Sequence, residues 1–166
     1  MNNLELEAIL KNLPITVCCA DDLPSSVKKR PYFDLTNTSK CQESGLHWTV
    51  FYFPKKGQCE FFDSLGENPE TYHRRFRNVF ISNGPDYLYT SNTIQPDYSN
   101  KCGLFCIYFI HKRCMNISYA MMLRNFSKSN LNFNDERVVQ YAKLLYLIIF
   151  SLYKCIRNKN QRFYCF

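Results

Sequence analysis

The spacing of hydrophobic positions changes along this chain, and each change marks an element. Near the start, Glu5-Leu6-Glu7-Ala8-Ile9-Leu10-Lys11-Asn12-Leu13 places apolar residues three and four apart. That spacing predicts an amphipathic helix over residues 2–13, packed on the outside of the fold. His47-Trp48-Thr49-Val50-Phe51-Tyr52-Phe53 is aromatic and β-branched and predicts a strand. Pro54-Lys55-Lys56-Gly57 is a turn, and Gln58 to Asp63 reads as the returning strand. Tyr87 to Thr93 predicts a further strand that delivers Gln95. Cys102 then opens an uncharged run through Ile110, closed by His111, Lys112 and Arg113. A run of this length suits a buried strand or a buried helix. The basic cluster at its end favours the helix, because cations are stabilised at the negative end of the helix dipole. A last apolar stretch, Leu144 to Tyr153, is ten residues long. A membrane span needs about 20. With the helix-start signal Asn134-Asp135-Glu136 ahead of it, the stretch predicts a buried helix.

These elements place reactive side chains near one another. Folding the hairpin about residue 55 makes His47 and Asp63 equidistant from its centre, so they meet at its open end. Directly opposed residues have Cβ atoms about 5 Å apart, whereas a slip of one residue would put the pair on opposite faces. Cys102 stands at a predicted helix N-terminus, where the dipole and free N–H groups lower a thiol's pKa. Gln95 lies seven residues ahead of it. A thiol, an imidazole and a carboxylate are the parts of an activated nucleophile. In this reading His47 is the base and Asp63 fixes its tautomer. The Gln95 amide and the Cys102 N–H receive the oxyanion.

Each residue alone has a plainer reading. A cysteine in an apolar run is usually a small core residue, which is the reading given to Cys106. His47 beside Trp48 suits a core histidine, Asp63 an ordinary turn residue and Gln95 a loop. His73 reads as solvated, and His111 as a helix C-terminal residue.

Taken together, Gly45-x-His47-Trp48, Phe62-Asp63-Ser64-Leu65-Gly66 and Gln95-x6-Cys102-Gly103-x-Phe105-Cys106 resemble the adenovirus maturation proteases. The resemblance covers residues 4–110, and 111–166 reads as a divergent helical part. The order His, acid, Gln, Cys is that of this family and of the related SUMO-specific proteases; papain-like enzymes place Cys before His. Asp63 departs from the Glu usual in adenovirus enzymes and matches the SUMO-type Asp.

The resemblance implies one α+β cysteine protease domain over residues 1–166, with a mixed sheet packed on a central helix that starts at the nucleophile. The implied activity is endopeptidase cleavage of capsid or core precursor proteins near small residues such as Gly. The alternative is a deconjugase of SUMO or another ubiquitin-like protein using the same triad. An inactive scaffold is a third reading, disfavoured by the intact set of His47, Asp63, Gln95 and Cys102. The family uses DNA as a cofactor. It also uses a viral peptide that becomes disulfide-linked to a Cys shortly before the Gln. No Cys lies between Cys59 and Cys102, and the comparable stretch is Ser82 to Asp86. A disulfide-linked peptide is therefore not expected, and no cofactor is expected to be required, with stimulation by DNA or a viral peptide left open. The expected location is the host nucleus or the virion.

Composition sharpens the partner reading. Apolar content of 46% and aromatic content of 16% exclude a disordered chain. The formal charge is +7, with basic clusters at Lys28-Lys29-Arg30, Lys55-Lys56, His73-Arg74-Arg75-x-Arg77, Lys112-Arg113 and Arg157-x-Lys159. Such a balance suits double-stranded DNA as well as a plain solvated face. The polar N-terminus and nine irregularly spaced cysteines predict a reduced, unsecreted, membrane-free protein. No Cys-x-x-Cys pair is present, so no metal site is expected. The tail from Arg157 to Phe166 has no predicted role.

Overall fold

Aromatic and β-branched segments build one five-stranded mixed sheet, with the strands lying side by side in chain order. The computed structural model describes residues 3–84 and 86–161, with side chains over 6–7, 9–84 and 86–147. The strands are β1 (Ile15–Cys19), β2 (Tyr32–Asn37), β3 (Trp48–Phe53), β4 (Cys59–Phe62) and β5 (Tyr87–Tyr89). β3 runs antiparallel to both β2 and β4, while the outer pairs β1–β2 and β4–β5 are parallel. A central strand is covered on both faces, and all six residues of β3 are buried.

The period-two alternation of the strands divides the core. Phe33, Leu35, Val50, Tyr52 and Phe62 face one side, where α3 (Cys102–Cys114) packs. Phe51, Phe53, Cys59 and Phe61 face the other, against Phe76, Val79 and Phe80 of α2 (Arg74–Asn83). The α3 run follows its sequence pattern: it starts at Cys102, buries Phe105 to Ile110, and carries His111, Lys112 and Arg113 in its last turn. Arg113 pairs with Glu60 of β4 at 2.9 Å, which fastens the far end of the helix to the sheet.

Four expectations need correction. The N-terminal helix α1 spans Asn3–Leu10 rather than 2–13, ending before Pro14; it buries Leu6 and Leu10 against the α3-side core and leaves Glu7 and Ile9 exposed, as a helix packed on the outside does. The predicted strand over 87–93 stops at Tyr89. The last helix, α5 (Leu131–Gln161), starts ahead of the Asn134 signal, because Asn130 Oδ1 accepts from Phe133 N at 3.1 Å and caps it. The apolar stretch is also not a buried helix over its described part. Leu144, Tyr146 and Leu147 are 58%, 69% and 58% exposed, while Tyr141 and Leu145 pack on the core. The helix buries a stripe, as amphipathic helices do. Side chains from 148 onward, including the rest of that stretch, lie outside the described residues. A short helix α4 (Tyr119–Leu123) links α3 to α5, and no described helix is long and apolar enough to cross a membrane.

Candidate active site

Two strand ends bring the imidazole to the carboxylate. His47 immediately precedes β3, with its carbonyl accepting from Thr38 N at 2.8 Å, and Asp63 immediately follows β4. The hairpin register differs from the expected one. Val50 pairs with Phe62 and Tyr52 with Glu60, so the hairpin is centred on residue 56, not 55. Extending that register sets Asp63 opposite Thr49, two residues from His47. A displacement of two keeps both side chains on one face, where one would have separated them. The pair therefore meets diagonally, within reach of long side chains. His47 Nε2 and Asp63 Oδ1 are 2.6 Å apart, with the residues 8% and 1% exposed.

Asp63 is held by more than His47. Its oxygens accept from Leu65 N at 2.9 Å, Glu67 N at 3.1 Å and the Tyr72 hydroxyl at 2.7 Å. A buried carboxylate with this many donors keeps one orientation, and so fixes the ring bonded to it.

With Nε2 engaged by Asp63, Nδ1 is the nitrogen left for the Cys102 thiol, which hydrogen-bonds to His47. Burial alone would pull the His47 pKa down. The bonds to Asp63 and Cys102, and their charges, outweigh it and lift the pKa to about 9. Burial likewise pushes the Cys102 thiol up. The imidazolium and the backbone N–H groups of Trp48 and Gly103 overcome it, leaving the pKa below its ordinary 9.0. Both shifts favour a thiolate–imidazolium pair.

Gln95 is buried on the adjoining loop and is not bonded to the triad residues directly. Its Oε1 accepts from the Ser64 hydroxyl at 2.7 Å, and its Nε2 donates to Ser99 O at 2.8 Å. Two strands of loop are zipped here: Ile94 N and Gln95 N both donate to Ser64 O, at 2.9 and 3.0 Å, and Thr93 Oγ1 donates to Leu65 O at 2.9 Å. Gly66 permits the approach. It adopts φ +76°, and a Cβ there would stand 2.8 Å from the Asn92 carbonyl carbon. From the other side, Asn134 of α5, fully buried, donates to Ile94 O at 2.9 Å and to Ser127 O at 2.8 Å.

The remaining candidates sort by geometry. Cys106 is fully buried and donates to Trp48 O at 3.2 Å; burial pushes its thiol well up. It pins α3 to β3 one turn after Cys102. His73 is not merely solvated: it caps α2, accepting from Arg75 N at 3.5 Å. His111 bonds to the Tyr141 hydroxyl of α5. Sequence reasoning missed Tyr72 and Asn134, which reach the site only through tertiary placement and carry no local signal. Ser64 stood inside the matched motif without an assigned role.

The sequence model of the adenovirus endoprotease family matches residues 22–141, which takes in every quoted motif, starts later than the expected span of 4–110 and runs further toward the C-terminus. The chain is similar to the protease of Human adenovirus A serotype 12, with 29% identity over 90 residues that cover 46% of this chain and 44% of that protein. It is also similar to the protease of Human adenovirus D serotype 17, with 28% identity over 90 residues covering 46% and 43%. The chain thus spans less than half the length of these curated relatives.

Proposed function

The chain belongs to the adenovirus endoprotease family, and we propose that it is a virus-type cysteine endopeptidase with Cys102 as nucleophile. The observation that carries this reading is the single file of Asp63, His47 and Cys102, with the first contact at 2.6 Å and the thiol at the start of α3. The Cys102 thiolate attacks the scissile carbonyl carbon, and the oxyanion moves toward the Cys102 N–H and the second amide hydrogen of Gln95. Protonated His47 gives its proton to the leaving amine, which departs and leaves a thioester on Cys102. A water that loses its proton to His47 then hydrolyses the thioester, releasing the acid and restoring the thiol. Asp63 holds the ring in one tautomer throughout and stabilises its charge.

The substrates in this proposal are capsid or core precursor proteins, and the place of action is the virion or the infected cell. Double-stranded DNA is a proposed partner, resting on charge. The test pairs a short Gly-Gly-containing peptide with the C-terminal ester of a ubiquitin-like protein. Peptide cleavage that disappears in Cys102→Ala and survives in Cys106→Ala is expected. Turnover of the ester alone would replace the endopeptidase with a deconjugase, and activity surviving in Cys102→Ala would remove the nucleophile assigned here.

A further inference from the structure

The end of β1 and the loop ahead of His47 gather donors that the active site does not use. Cys19, Asp21 and Cys41 each offer one ligand atom, and these atoms all lie within 4.8 Å of one another. Asp22 stands beside the group rather than within it: its Oδ2 accepts from Cys41 Sγ at 3.4 Å. The backbone holds the group in place, since Cys41 N donates to Asp21 Oδ1 at 2.8 Å and Asp22 N to Cys19 O at 3.1 Å. The two cysteines are far apart in sequence, so close-spaced cysteine motifs could not reveal them.

Zinc binds thiolate sulfur at about 2.3 Å and carboxylate oxygen at about 2.0–2.2 Å in a tetrahedron, which sets the ligand atoms about 3.3–3.8 Å apart. The three-residue cluster needs a contraction of about 1–1.5 Å at most to reach that spacing, and the exposed Asp22 side chain must turn further to join it. Thiolate donors select zinc over magnesium and calcium, which take oxygen. With Asp22 turned in, four protein donors would close the coordination sphere, as in structural rather than catalytic sites. Cys41 is exposed, which gives an ion a path in.

We propose that Cys19, Cys41, Asp21 and Asp22 form a structural zinc site that clamps the loop delivering His47. The loop is already tied at both ends: Ala20 N donates to Ser39 O at 3.0 Å, Leu46 N to the Ser39 hydroxyl at 3.2 Å, and Thr38 N to His47 O at 2.8 Å. A metal bridging Cys41 to the end of β1 fixes the middle of the same loop.

The test is cobalt(II) titration of the reduced full chain, followed by displacement with zinc. The same titration on Cys102→Ala removes the active-site thiol as a ligand. One equivalent of cobalt with a thiolate charge-transfer band is expected in both. Cys41→Ser and Cys19→Ser, each in the Cys102→Ala background, should lose the band. Asp21→Asn should keep it with affinity about tenfold weaker. Because Cys41 is exposed, its Ser variant has no core to disturb, and the Asp21 variant gives a second reading if it does. No band on the reduced chain, a band that persists in Cys41→Ser, or a band lost in Cys102→Ala overturns the site. A Cys19–Cys41 disulfide in material isolated without reductant, with no cobalt uptake after reduction, overturns it too and makes the two cysteines a redox pair.

Discussion

Ser64 donates its hydroxyl to the amide oxygen of Gln95 at 2.7 Å, and this bond decides which end of the amide is turned to act as donor. An amide has two donor hydrogens, and Ser99 O takes one of them at 2.8 Å. The other is the one proposed for the oxyanion. Gln95→Ala should therefore cost on the order of 10²–10³ in kcat, the usual loss for one such donor. Ser64→Ala frees the amide to rotate and should lose a smaller part of the same kcat with KM unchanged. Steady-state kinetics on one peptide checks both; an unchanged kcat in Gln95→Ala would remove it from the site.

The His47 and Cys102 shifts fix a pH window. His47 stands at about 9 against an ordinary 6.5, so its stabilising charge is fully present below about 6.5 and is lost as pH rises through about 9. Cys102 lies below its ordinary 9.0, so its thiolate contribution fades as pH falls through that lowered value. The two titrate as a pair, and activity requires the window between them. A bell-shaped kcat/KM is expected, with its alkaline limb near pH 9. Asp63→Asn should move that limb down, because the Asp63 bond helps to hold the proton on His47, and Asp63→Ala should cost less activity than His47→Ala. An alkaline limb that does not move in Asp63→Asn would separate the carboxylate from the base.

How far the site could be read from sequence follows from which contacts are local. The uncharged run after Cys102 and its basic end specified α3, because helix burial and dipole charge are short-range effects. The aromatic hairpin was equally legible. Its register was not, since Pro54 to Gly57 allows more than one turn geometry, and the chain settled two residues away from the simplest fold-back. His47 and Asp63 still met because an even shift preserves the face. The supports from Tyr72, Ser64 and Asn134 depend on where whole loops and α5 dock, which no periodicity encodes. The exposure of Leu144 and Leu147 was hidden for the opposite reason: an apolar run looks the same whether one side or both are covered.

Asp34 offers a test away from the chemistry. It sits on β2 between Thr16 of β1 and Phe51 of β3, fully buried, and neither carboxyl oxygen has a hydrogen-bond partner among the described residues. Burial pushes its pKa from 3.8 up to about 7. Between these values the unfolded chain has released the proton that the folded chain retains, so stability falls as pH rises across the window. At about 1.4 kcal/mol per unit the loss approaches roughly 4 kcal/mol. Asp34→Asn should remove this dependence and be the more stable chain, relative to wild type, above pH 7. Denaturant melts at several pH values check it; a wild-type–variant difference that is flat with pH would contradict the shift.

The proposed DNA partner would meet the basic surface. Asn83, at the end of α2, accepts from Val27 N at 3.2 Å, donates to Ser25 O at 2.9 Å and receives Arg30 on its carbonyl at 3.3 Å. These bonds set the exposed cluster Lys28 to Arg30 against the helix whose first turns carry Arg74, Arg75 and Arg77. Arg75 is unsuited to a test, because it donates to Leu23 O at 3.2 Å and supports the fold. Arg74 and Arg77 are exposed and free of that role. Duplex DNA of arbitrary sequence should bind at low salt and raise peptide cleavage, with affinity falling steeply as salt increases through counterion release. Arg74→Glu with Arg77→Glu should weaken binding and reduce the slope of log affinity against log salt by about 1–2. Fluorescence anisotropy across a salt series measures both. Absence of binding at the lowest salt would leave the +7 charge as a solvated surface, with no part in regulating the proposed activity.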